Sequence, residues 1–160
     1  VDAKTAFNLF INPSLDWLVT LGGPPRDKRA DILILATMIQ ESGLSDRIQG
    51  AGDKGPARSY AQFEQIGVTD VMTRARTAPI ARKVCQELAI APTSEYVFNV
   101  MAWNDTLATC ISRLNYWNSR LPLPTTEDEG WHCYVSTWRP GKPARNRWGA
   151  AWSAAEQAVE

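Results

Sequence analysis

The chain has 160 residues, enough for one domain with a proper core, and no repeat, linker or low-complexity stretch divides it. Its 17 basic and 17 acidic residues cancel to a formal net charge of zero, which predicts no broad cationic surface and argues against nucleic acid as a partner. Three widely spaced cysteines without a CxxC pair, and a single histidine, His132, argue against a disulfide framework, a zinc site and a Ser/His/Asp triad.

The expected fold class is mostly α (α+β), one helical domain over residues 1–160 with one small β-hairpin near residues 48–65. Short helices are predicted over residues 2–10 and 14–21, with Asp2 and Ser14 as N-caps. Gly22-Gly23-Pro24-Pro25 then breaks the chain. Residues 30–41 lack Gly and Pro and are apolar nearly all round, the pattern of a helix buried in the middle of a domain. That run ends on Glu41, and Gly43 reads as its stop. Glu41 falls seven residues after Ile34 and three after Met38, so at about 100° per residue it shares their buried stripe. An inward carboxylate among apolar neighbours, at the negative end of a helix dipole, has a raised pKa, as a general acid requires. The plain alternative is a helix-ending Glu that reaches solvent past Gly43.

Gln49-Gly50-Ala51-Gly52-Asp53-Lys54-Gly55-Pro56 is a dense turn signal carrying Asp53, which an ordinary turn would also explain. If Ala57-Arg58-Ser59-Tyr60-Ala61-Gln62-Phe63-Glu64 is extended, Tyr60, Gln62 and Glu64 share one polar face and Ala61 and Phe63 the other. Further helices are predicted over residues 69–75, over 78–89 with Pro79 near the start, and over 94–121 as one long pattern stopped by Pro122-Leu123-Pro124. Thr126 with Glu127 and Glu129 opens a helix through Trp138, and residues 144–159 form the last.

Six of the seven tryptophans lie from Trp103 onward; core packing explains most, with one or two suited to a groove that stacks on sugar rings. Cys85 and Cys110 sit among apolar residues and read as buried thiols. Basic clusters at residues 74–82 and 139–147 read as solvated helix faces, or as contacts to an anionic polymer or a protein neighbour. Residues 1–4 show no signal-peptide pattern, and residues 32–39 are too short to span a bilayer.

A Glu-Ser at a helix end, a Gly-rich turn, and then a segment with an aromatic residue and Gln resemble the lysozyme-like superfamily, goose-type lysozymes and lytic transglycosylases in particular. Gly50-Ala51-Gly52-Asp53-Lys54-Gly55 is similar to that family's Gly-x-Gly-Asp-x-Gly turn. Gln62-Phe63-Glu64 is similar to its Gln and the acid two residues later, with Glu in place of Asp. Ser59-Tyr60-Ala61-Gln62 stands where the family has Gly-Leu-Met-Gln. The family's Ala-Tyr-Asn-Ala-Gly element, whose Tyr contacts the catalytic Glu, has its nearest counterpart in residues 134–141, which offer either Tyr134 or Trp138. Gln40-Glu41-Ser42-Gly43, residues 55–64 and residues 138–143 also resemble short phage and prophage proteins.

The resemblance implies a lysozyme-like fold with Glu41, Asp53 and Glu64 as the catalytic set. It implies Ser42, Tyr60, Gln62, Tyr134 and Trp138 as substrate contacts, with no metal and no cofactor. The implied partner is a peptidoglycan glycan strand, cut at the β-1,4 bond after N-acetylmuramic acid by a muramidase or a lytic transglycosylase. It implies a phage-encoded protein, made in the bacterial cytoplasm without a signal peptide and without a membrane span. Such a protein acts from the virion, beside other virion proteins, or in the host periplasm as a lysis enzyme. Two other classes stand beside this one: an inactive lysozyme-like structural component of a virion tail or core, and a carbohydrate- or partner-binding module suggested by tryptophan content.

Overall fold

In the computed structural model, which describes residues 1–48 and 55–160, helix α1 (Ala3–Ala6) is capped by Asp2, which accepts a hydrogen bond from the Thr5 N–H at 2.8 Å. The helix does not stop where the sequence suggested. A π-helical turn over Phe7–Ile11 runs directly into α2 (Asn12–Thr20), so the two helices expected over residues 2–10 and 14–21 form one rod. Pro13 is the reason. It falls in the first turn of α2, where its missing N–H is no loss, and the widened turn lets the Asn12 N–H reach back to the Phe7 carbonyl. Ser14 is therefore buried inside α2 and is not an N-cap.

Asp27 caps α3 (Lys28–Ser42), which Gly43 ends in the left-handed conformation with φ 61°. Next comes the hairpin. Strand β1 (Ala57–Arg58) pairs antiparallel with β2 (Phe63–Glu64), Ala57 opposite Glu64 and Arg58 opposite Phe63, and Ile48 adds one bridge to Arg58. Helices α4 (Gln65–Thr73), α5 (Ala78–Glu87), α6 (Ser94–Val100), α7 (Asp105–Ser119), α8 (Glu127–Trp138) and α9 (Arg145–Val159) complete the described chain. The protein is thus mostly α with one small antiparallel hairpin.

The long helix expected over residues 94–121 is broken. Asn104 accepts from the Leu107 N–H at 2.9 Å and starts α7 afresh, leaving Trp103 exposed. A local capping bond wins here over an apolar periodicity that continues across the break. Helix α4 starts earlier than expected, at Gln65, because β2 passes into it without a loop. The α8 start is as expected, with Thr126 and Glu129 exchanging the two bonds of a capping box.

Helix α3 is the centre of the core. Leu33, Ile34, Leu35, Ala36 and Met38 are all buried, and the helix packs along α9 while touching α7 and α8. Helices α8 and α9 approach closely at Gly130, where a Cβ would lie 2.3 Å from the Trp152 ring. Trp152, Trp148 and Tyr134 follow as a chain of ring contacts between these two helices. Cys85, Cys110 and Cys133 are buried free thiols. No helix among the described residues is long and apolar enough to cross a membrane.

Candidate active site

Glu41 stands in the last turn of α3, below Ile34 and Met38, which are fully buried. The carboxyl itself is partly buried at the edge of a groove. Burial raises its pKa above the ordinary carboxylate value, and the charge of Glu64 pushes the same way. A hydrogen bond from Tyr134 and the positive charge of Arg147 pull it down, but burial prevails.

The bond from Tyr134 is direct: its hydroxyl donates to Glu41 Oε1. Tyr134 lies in the middle of α8, 3% exposed, with its ring stacked 5.0 Å from that of Trp148. Burial first, and then the bond and charge of Glu41, push the phenol pKa far above its usual value. Tyr134 is therefore a neutral donor at any working pH, fixed in place by α9. Of the two aromatic residues offered by residues 134–141, it is the one that meets Glu41. Trp138 makes a different contact: its indole N–H donates to the Ala61 carbonyl at 2.8 Å, and its ring packs against Phe63 and Tyr116.

The segment expected to be extended over residues 57–64 is extended only at its two ends. Between the strands, residues 59–62 form a tight turn in which the Gln62 N–H donates to the Ser59 carbonyl at 3.0 Å. Ser59 and Gln62 both take positive φ, 68° and 51°, without a glycine at either place. Side chains hold this conformation. Ser59 Oγ accepts from the Ala61 N–H, and Gln62 Nε2 donates to the Ser59 carbonyl at 2.8 Å and to the Asp46 carbonyl at 3.0 Å. The period of two fails across such a turn. Tyr60, expected on the groove face, is instead 5% exposed, stacked on Phe10 beneath the Arg47 guanidinium. Alternation resumes at β2, where Phe63 is buried and Glu64 exposed.

The Ser42 hydroxyl donates to the Met38 carbonyl at 3.0 Å and accepts from the Leu44 N–H at 3.2 Å, tying the helix end to its own following turn. Asp53 lies outside the described residues. His132 is exposed on α8 and lines no part of the groove.

The groove has a volume of about 730 Å³. Glu41, Asp46, Glu64 and Asp70 line it on the acidic side, from the end of α3, the loop after it, β2 and α4. Arg139, Lys142 and Arg147 line it from the loop after α8 and the start of α9. Ser42, Gln62 and Trp138 open onto it as well; Tyr60 and Tyr134 do not. Arg147 is the residue the sequence left unassigned. Its signal was the basic cluster at residues 139–147, and its position follows from the packing of α9 along α3, where Gln40 Nε2 donates to the Ala144 carbonyl at 3.0 Å and joins the start of α9 to the end of α3.

The arrangement offers a carboxyl that keeps its proton to higher pH than an ordinary Glu, oriented by a neutral phenol, with a second carboxylate near enough to act on its pKa. Among the described residues no group of three His, Cys, Asp or Glu is placed to hold a metal ion. Compared with protein-family models, with curated proteins and with solved structures, the chain matches none of them.

Proposed function

We propose that the protein cleaves the β-1,4 glycosidic bond after N-acetylmuramic acid in peptidoglycan, with Glu41 as the acid that protonates the leaving oxygen. The observation that carries this reading is the Tyr134–Glu41 pair at the edge of a polar groove. Glycoside cleavage needs a proton delivered at a pH where an ordinary Glu has already lost it, and burial gives Glu41 that property. The lysozyme-like resemblance of the Glu41-Ser42 and Gln62-Phe63-Glu64 segments supports the same reading. It also extends the reading to a phage-encoded protein that reaches the cell wall from the virion or at lysis.

Two routes use these groups differently. In hydrolysis with inversion, Glu64 activates a water on the far side of the sugar. In transglycosylation, Glu41 serves as acid and then as base, and a hydroxyl of the substrate itself closes an anhydro ring. Mass spectrometry of the fragments released from purified peptidoglycan distinguishes them: a reducing-end sugar for hydrolysis, or a product lighter by one water for the anhydro route. A protein that releases no fragments under either assay is not a glycosidase, and the groove then belongs to an inactive lysozyme-like component.

A further inference from the structure

A second cavity, of about 80 Å³, shares no lining residue with the groove. It is bounded by the C-terminal half of α7, the chain just after it, and Cys133 of α8. Arg76, Arg113 and Arg120 line it, and among the described residues no carboxylate does.

Arg113 is buried, 6% exposed, yet it enters no ion pair among the described residues, and its one hydrogen bond there runs from Nη2 to the Pro25 carbonyl at 3.1 Å. A guanidinium carries five N–H donors in a fixed fork, so most of this capacity is not taken by acceptors among the described residues. Burial drives the Arg113 pKa down, to about 10, against an upward pull from Asp27 and a smaller one from Asp31, and the Arg76 charge adds to the downward push. Those two acids are already engaged, Asp27 by Arg29 and Asp31 by Arg26. Arg76 stands with its guanidinium 4.5 Å from the Trp117 ring, and its Nε–H is buried without a partner. It too forms no ion pair among the described residues. Arg26 shows the contrast: less withdrawn from water than Arg113, it is nevertheless matched by Asp31, Asp16 and Asn12.

We propose that this cavity is a binding site for a small oxyanion, a carboxylate or a phosphate, held between Arg76 and Arg113. An oxyanion offers acceptors to the Arg76 Nε–H and to the Arg113 donors that no protein group takes, and relieves the repulsion between two cations, one buried and one half-buried. The size sets the class. With roughly 30 Å³ for each water in the liquid, about 80 Å³ is the space of about two to three waters, the scale of one phosphate or acetate ion. Leu33, Leu121 and Leu123 give the cavity an apolar side that accepts a short aliphatic tail, so acetate-like carboxylates and inorganic phosphate are both candidates. The inference does not depend on what the groove cleaves.

Isothermal titration of the full chain with inorganic phosphate and with acetate, in chloride buffers of matched ionic strength, tests it. The expected result is saturable binding of at least one anion at one site per chain, and the tighter of the two names the source. Arg76→Gln should weaken that binding at least about tenfold, the weight of one charge-assisted hydrogen bond. Arg76 is only partly buried, so this variant keeps the test open even where Arg113→Gln fails to fold. In crystals soaked with selenate, anomalous density should lie within hydrogen-bond distance of both guanidinium groups. Binding no stronger than that of chloride, binding unchanged in Arg76→Gln, or selenate found only elsewhere overturns the proposal.

Discussion

Helix α3 carries an inward carboxylate at each end, and the two are handled in opposite ways. Asp31, in the first turn, is 5% exposed and meets Arg26 in a two-point contact, at 2.8 Å and 3.0 Å. It also sits at the positive end of the helix dipole. Glu41, in the last turn, sits at the negative end, and its direct partner is the neutral phenol of Tyr134. The chemical group and the helix are the same; the partner's charge and the direction of the dipole differ. Matched by a cation, a buried carboxylate fastens a break in the chain, here the loop that carries Arg26. Half-buried beside a neutral phenol and without a cation paired to it, a carboxyl keeps its proton to higher pH, because burial outweighs the phenol's opposing bond.

The largest effect is expected at the unmatched end. Glu41→Gln keeps shape but removes the transferable proton, and peptidoglycan turnover should fall about 100- to 10,000-fold. Stability should move the other way. Because the folded-state pKa of Glu41 lies above the unfolded value, the native state binds the proton more tightly. Its contribution to stability therefore declines as pH rises from the ordinary Glu range through the folded pKa. Glu41→Gln should raise the melting temperature at neutral pH and leave it unchanged in acid; a variant less stable than the parent at neutral pH would contradict the raised pKa.

At the matched end the expectation is reversed. Asp31→Asn takes the buried partner from a half-buried guanidinium that keeps Asp16 and Asn12, and should cost about 2–4 kcal/mol by denaturant unfolding, with turnover per folded molecule unchanged. A loss below about 1 kcal/mol would reduce the Arg26–Asp31 pair to an ordinary surface contact and erase the contrast.

Gly130→Ala probes the framework that delivers Tyr134. The added methyl meets the Trp152 ring, so α8 must move from α9 at a cost of about 1–3 kcal/mol. Tyr134 lies one turn further along α8, so turnover should fall as well, and Trp152→Phe should restore part of both.

The smallest effects are the most diagnostic. Tyr134→Phe and Arg147→Gln each remove an influence that lowers the Glu41 pKa, so the basic limb of kcat/KM should shift to higher pH. Glu64→Gln removes an influence that raises it, so in the residual activity the same limb should shift to lower pH. Shifts of one sign in all three would mean that the limb belongs to a group other than Glu41.

The features legible in the sequence are those fixed by local pattern. The apolar run of α3, its end at Gly43 and the inward placement of Glu41 follow from periodicity and one stop residue. The capping box of α8 follows from Thr126 and Glu129. The turn at residues 59–62 was hidden because its two left-handed residues, Ser59 and Gln62, are not glycines. Their own side chains stabilise the conformation, and no spacing rule registers that. Tyr60 was misplaced for this reason. The break at Asn104 was masked by apolar residues that keep their rhythm across it. The meeting of Tyr134 with Glu41 was left open against Trp138, since it depends on how α8 packs against the end of α3. The basic cluster at residues 139–147 was visible, but its position facing Glu41 rests on the packing of α9 along α3, joined at its start by a bond from Gln40, distant in sequence.

Each strand of the hairpin is two residues long, too short to persist by itself. What holds it is α8: the Trp138 indole fastens the Ala61 carbonyl and covers Phe63. A folding order follows. Helices α3, α8 and α9 must dock before the wall that carries Glu64 exists, so that wall forms late and opens early, and amide exchange at residues 57–64 should run ahead of exchange in α3. A chain still folding, or partly undone, has the acid but no groove around it. On the proposed reading, nothing is cleaved until contacts between segments far apart in sequence, Trp138 with Ala61 among them, are in place.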